Sequence, residues 1–174
     1  MFQYLPYIVN ALEALYKNDS NLFEGKTHEL TFSYRIALYL SQQLEKNQEG
    51  LFIDCEYHRD LDSNMGKKFI DNYGYFRPDI IFHDRARSNR FCIELKKCSL
   101  TYKTINGRKF NDKDKIEGMI NTFGYVEGFC IYNLNKNSVT VWCKSQSAEE
   151  TKIYTWKNNL LAQNGNKRRI QNRI

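Results

Sequence analysis

Residues 77–98 read RPDIIFHD, RARSN, RFCIELKKC, and this stretch limits the fold more than any other. Two short apolar runs flank a polar connection at residues 85–89. Each run is too short for a stable helix and rich in β-branched and aromatic residues, which predicts strands over 77–84 and 90–98. Pro78 belongs at the start of the first strand, because proline cannot donate to a ladder. In the second strand Phe91, Ile93 and Leu95 face one way, and Cys92, Glu94 and Lys96 the other. The short connection makes the strands antiparallel neighbours, so the start of one lies beside the end of the other. Asp79, Glu94 and Lys96 then converge at one end of a sheet.

The rest of the chain supplies the elements around that pair. Residues 1–16 read as an amphipathic helix with Pro6 in its first turn, and residues 27–46 as a helix capped by Thr27. Phe32, Ile36, Tyr39, Leu40 and Gln43 recur at helical steps, and Glu29 heads the same face one turn earlier. Residues 51–57 alternate as a strand, with Leu51, Ile53, Cys55 and Tyr57 on one face and Phe52, Asp54 and Glu56 on the other. Two polar loops are expected at 58–75 and 99–110. A helix over 111–123 has Asn111 or Asp112 as cap, Ile116, Met119, Ile120 and Phe123 as its stripe, and Gly124 as its stop. Strands follow at 128–134 and 139–144, then a final helix at 153–161 and a basic tail, NKRRIQNRI, at 166–174. After the N-terminal helix the order is α, β, β, β, α, β, β. The expectation is one α/β (α+β) domain over 1–174, with a mixed sheet flanked by helices and a core over about 27–145.

At 174 residues and 41% hydrophobic the chain can bury a core without disulfides. Cys55, Cys92, Cys98, Cys130 and Cys143 are odd in number and none are spaced as CxxC. They read as reduced residues, which points to an intracellular, cytoplasmic protein. The N-terminal helix lacks the basic flank and cleavage site of a signal peptide, and it is too polar and short to span a bilayer. No membrane partner is expected. A net charge of +6 favours polyanions such as nucleic acid.

The residue types at the converging end suit phosphodiester hydrolysis. Two carboxylates repel unless a cation lies between them, and a hard oxygen site of this kind suits Mg²⁺ or Mn²⁺. A metal so held lowers the pKa of bound water and polarises a phosphoryl oxygen. A neighbouring lysine can orient the nucleophile or stabilise developing negative charge. The plainer alternative is a salt-bridged sheet face.

The stretch from Thr27 to Leu134 resembles the PD-(D/E)xK nuclease superfamily, which includes restriction endonucleases, Holliday-junction resolvases, phage exonucleases and repair nucleases. The resemblance rests on Arg77-Pro78-Asp79, on Ile93 to Lys97, and on the element order, since that superfamily has an αβββαβ, restriction-endonuclease-like core. It looks most like small prokaryotic and phage-associated members, in which an acidic strand ending in Glu-Tyr, here Asp54 to Tyr57, precedes the other motifs. The resemblance implies that Asp79, Glu94 and Glu29 hold metal, with the backbone carbonyl of Leu95 as a further ligand and Lys96 as the motif lysine. It also implies polar support from the helix over 111–123, with Lys115 first and Asp112 second. A homodimer is a mild expectation on the same ground.

Other residues are candidates with plain alternatives. Glu56 and Asp54 either add to the acidic site or sit on a solvated edge, and the solvated edge is favoured. His28 matches a histidine that viral cap-snatching endonucleases carry on this helix, yet adjacent helical residues point about 100° apart, so His28 and Glu29 cannot easily share the site. His58 and His83 read as structural. Lys67, Lys68, Lys97, Lys103, Arg108 and Lys109 lie in or beside the loops flanking the active end and are candidate phosphate contacts. Arg168, Arg169 and Arg173 could grip a backbone without sequence choice. Some of the 12 Tyr and 11 Phe could stack on bases, while most are core. The expected function is a metal-dependent DNA endonuclease. The alternatives are an RNA endonuclease, a domain of this type that binds nucleic acid or protein without cutting, and a structural or interaction protein.

Overall fold

The computed structural model describes residues 1–45, 50–57, 68–70, 74–105 and 107–164. Helix α1 (Leu5–Asn18) carries Pro6 in its first turn and buries Leu5, Ile8, Ala11, Leu12 and Leu15. This helical spacing presents one apolar stripe. A 3₁₀ turn at Ser20–Phe23 leads to α2 (Glu29–Leu44), which buries Phe32, Ile36, Tyr39, Leu40 and Leu44. The cap of α2 is His28, whose Nδ1 accepts from the Leu30 N–H at 3.2 Å, and not Thr27. A ring nitrogen can satisfy an orphan helix donor as a hydroxyl would.

The main sheet has seven strands. They are β1 (Phe52–Cys55), β4 (Ile80–His83), β5 (Asn89–Leu95), β8 (Glu127–Asn135), β9 (Ser138–Ser145), β10 (Glu149–Lys157) and β11 (Leu160–Gln163), lying in that order. β5 and β8 are parallel, and every other neighbouring pair is antiparallel. The parallel step is bridged by α3 (Asp112–Phe123). Asn111 accepts from the Lys113 N–H while Asp114 accepts from the Asn111 N–H, closing a capping box. Gly124 ends the helix at φ +68°.

The two faces of the sheet bury different sets. Phe82, Phe91, Ile93, Leu95, Phe129 and Ile131 pack with α1 and α2. Ile81, Cys92, Cys130 and Trp142 pack with Ile116, Met119 and Ile120 of α3. Burying each such side chain contributes about 1.5–3 kcal/mol. The alternation expected in the strand after Asn89 is present, with Phe91, Ile93 and Leu95 on one face and Cys92 on the other.

Three expectations are corrected. The final helix at 153–161 is the hairpin β10–β11, turning at Asn158 and Asn159 with φ of +51° and +62°. Two consecutive positive φ values suit a tight hairpin turn, and β-branched Thr151, Ile153 and Thr155 fit a pleated strand. The polar loop at 99–110 contains the hairpin β6 (Lys103–Ile105) and β7 (Arg108–Phe110), with Gly107 at φ +78°. In the loop expected over 58–75, β2 (Phe69–Ile70) pairs with β3 (Gly74–Tyr75). His58, Lys67 and the basic residues Arg168, Arg169 and Arg173 lie outside the described residues.

All five cysteines are free. Among the described residues no helix is long and apolar enough to cross a membrane.

Candidate active site

β4 and β5 pair with Ile80 opposite Ile93, so the next step along the ladder sets Asp79 beside Glu94. By strand alternation Asp79 shares a face with Ile81, and Glu94 with Cys92. That is the α3 face of the sheet. The Leu95 N–H donates to Asp79 Oδ2 at 2.7 Å, which anchors the carboxylate at the strand end.

Glu94 is only 5% exposed. Its Oε2 lies 3.5 Å from Lys115 Nζ, and its buried Oε1 has no hydrogen-bond partner among the described residues. Burial first, and then the charge of Asp79, push its pKa up to about 8. Burial also raises Asp79, opposed by the Leu95 N–H and by Lys96. The charge of Asp79 against buried Glu94 is a source of repulsion that a bound cation would relieve. Lys115 relieves part of it and is itself shared, with Asp112 Oδ1 at 2.6 Å. Burial works against its charge, yet the two carboxylates hold its pKa above the ordinary lysine value. Its Nζ also sits 5.5 Å from the centre of the Phe76 ring.

Glu29 approaches from the other layer. It heads α2, on the face of the sheet opposite α3, and reaches round the end of β5. There its Oε2 accepts from the Lys97 N–H at 3.1 Å and pairs with Lys96 Nζ at 3.7 Å. Its charge acts on Asp79, but it does not join Asp79 and Glu94 in a ligand cluster. Among the described residues no three His, Cys, Asp or Glu side chains gather closely enough to hold a metal. A two-carboxylate site still fits Mg²⁺, which is commonly held by one or two carboxylates plus waters and phosphate oxygens. The buried Oε1 of Glu94, without a hydrogen-bond partner among the described residues, is an oxygen that such an ion could use.

The remaining expected residues divide. Lys96 and Lys115 meet at the site, as does Asp112 through Lys115. Glu56 adopts φ +50° after β1 and its carboxylate pairs with Arg77 at 3.0 Å. The Glu56 backbone N–H donates to the Asp79 carbonyl at 3.0 Å, so Glu56 touches the Asp79 segment through the main chain. Asp54 is held by Arg85 through two bonds of 2.7 and 2.8 Å, and by His83 Nε2 at 2.9 Å. Burial lowers the His83 pKa, so its ring is neutral at pH 7 and structural as expected. His28 is spent on the α2 cap.

Lys68 is buried rather than a surface phosphate contact, with Nζ over the rings of Tyr57, Phe123 and Tyr125. Lys97 Nζ bonds the Thr27 carbonyl at 3.0 Å and lies over Phe32, so it braces α2. Lys103 and Lys109 are exposed on the β6–β7 hairpin. Thr101, Lys103 and Phe110 border a small pocket of about 60 Å³ together with Lys96, Asp112 and Lys115. That enclosure is not apparent from the polar loop expected at 99–110. Its signal was the Asn106-Gly107 dipeptide, a hairpin turn sequence that would have folded the loop back on itself.

No family model matches the chain, and no curated protein or solved structure matches it.

Proposed function

We propose that this chain is a Mg²⁺- or Mn²⁺-dependent nuclease of the PD-(D/E)xK type, acting on DNA. The observation that carries the reading is Glu94, buried with one unpartnered oxygen, beside Asp79 on the neighbouring strand and two residues before Lys96. The order α2, β1, β4, β5, α3, β8 supports it, because with the two small hairpins set aside it is an αβββαβ core.

In this reading Asp79 and Glu94 would hold the ion, which when bound would lower the pKa of a water and draw charge from the scissile phosphate. The Leu95 N–H fixes the Asp79 carboxylate. Lys115 holds Glu94 and Asp112 apart as charges and keeps Glu94 oriented. Lys96, about one-third exposed and steadied by Glu29, presents its ammonium to the phosphate and stabilises charge that develops there. Glu29 acts here through Lys96 and the backbone of Lys97. The basic balance of the chain favours the polyanion.

A second reading has its own observation. Lys115 already offsets Glu94, and among the described residues no three-ligand group is assembled, which is what a domain that binds nucleic acid without cutting would show. Plasmid, linear duplex, single-stranded DNA and RNA should be incubated with the protein in Mn²⁺, Mg²⁺ or EDTA. The nuclease reading expects cutting that needs metal and that Glu94→Ala lowers at least a hundredfold. Cutting of RNA alone would change the polymer. No cutting by folded protein, with no Mn²⁺-dependent rise in melting temperature, would select the binding domain.

A further inference from the structure

The pocket between the β6–β7 hairpin and the start of α3 is lined by three lysines, Lys96, Lys103 and Lys115. Among the described residues Asp112 is the one acidic residue in its lining. Two of the lysines are held from behind. Lys96 is paired with Glu29 and Lys115 with Asp112 and Glu94, so both are oriented before any ligand arrives. Lys103 has no carboxylate partner among the described residues and is exposed on β6. Thr101, Phe110 and Asn111 complete the lining. The pocket is small, about 60 Å³, and has room for a phosphate group. Lys115 also pairs with Glu94 of the proposed catalytic site, so the pocket lies beside it.

We propose that this pocket is a phosphate subsite, which seats a phosphate of the substrate strand next to the scissile one, with Lys103 as its main affinity determinant. The substrate class is therefore a polynucleotide strand whose backbone passes, or ends, between the hairpin and α3. The proposal rests on the nuclease reading for its purpose, but binding can be measured without cutting. Lys96 and Lys115 bring orientation at the cost of charge already shared with acids. Lys103 brings an undivided charge on an element that no part of the core requires. Ordering one phosphate there fixes the register of the strand over Asp79 and Glu94.

The test is the fluorescence anisotropy of short labelled single-stranded oligonucleotides in EDTA, with the wild type, Lys103→Ala and Lys157→Ala. Lys157 is exposed at the far end of β10 and serves as a charge control. Lys103→Ala should weaken binding about fivefold or more, and Lys157→Ala less than twofold, with unchanged melting temperatures. A 5′-phosphorylated oligonucleotide that binds tighter than its 5′-hydroxyl twin, only when Lys103 is present, would place a terminal phosphate in the pocket. Equal binding of the twins, still dependent on Lys103, would place an internal one. Equal losses in the two variants, no loss in either, or no binding by the wild type would overturn the proposal. Metal-dependent cutting is read separately in Mn²⁺. Cutting that ignores Lys103→Ala removes the subsite and keeps the nuclease, whereas Lys103-dependent binding without cutting does the reverse.

Discussion

At the scale of single residues, Glu94 decides how the site behaves. Its carboxyl titrates near 8 in the fold against an ordinary value of 4.5, and Asp79 is shifted the same way. The folded protein therefore binds these protons more tightly than the unfolded chain. The stabilisation is complete below about 4.5 and is lost as pH rises towards 8. In EDTA the melting temperature should fall between pH 5 and 8, and Glu94→Gln should flatten that fall and raise stability at pH 8. A salt-bridged sheet face predicts the opposite, since removing Glu94 would then cost stability at pH 8. Thermal melts of both proteins across that range separate the two. Lys115 keeps Asp112 as a partner in the variant, so no buried ammonium is stranded.

At the scale of elements, close approach between α3 and the sheet sets the position of Lys115. Gly128 on β8 is where they meet, because a Cβ there would lie 2.2 Å from Ile116 Cγ2 and 3.3 Å from Ile120 Cδ1. Gly128→Ala must push the helix outward or force a rotamer change, at a cost of about 1–3 kcal/mol in urea unfolding. Adding Ile116→Ala should recover part of the loss, a coupling that a double-mutant cycle measures. The hairpin β10–β11 gives a second test. Asn159 sits at φ +62°, so Asn159→Gly should be neutral or stabilising, while Asn159→Val should cost about 1–2 kcal/mol. A helix across the same residues would invert that order, because glycine weakens a helix interior more than valine does.

At the scale of the whole molecule, two layers with different duties meet at the end of β5. The α1–α2 layer carries the larger core and lends Glu29. The α3 layer carries the smaller core and lends Lys115. A divalent ion bound between Asp79 and Glu94 would tie together strands that already pair, so its effect on stability reports affinity rather than folding. Saturating Mn²⁺ at about a hundred times its Kd should add about 2.7 kcal/mol, a rise of several degrees in melting temperature. The same scan with Asp79→Asn or Glu94→Ala should show no rise. A rise that survives both substitutions would locate the ion elsewhere.

Local pattern made the central strands, the helix after Asn111 and its stop at Gly124 legible, because period two, capping chemistry and left-handed glycine are properties of neighbouring residues. It also brought Asp79, Glu94 and Lys96 to one sheet end, since a short connection leaves β4 and β5 little choice of partner. It failed at 153–161, where apolar residues at mixed spacing read as a helix and the paired asparagines were passed over as a turn. What only the tertiary structure decided lies across long separations in the chain. The burial of Glu94, the diversion of Glu29 to Lys96 and Lys97, the withdrawal of Lys68 into an aromatic setting and the closing of a pocket by the β6–β7 hairpin all depend on how layers stack. Sequence period says which way a side chain points. Only packing says what it meets there and how much water is left around it.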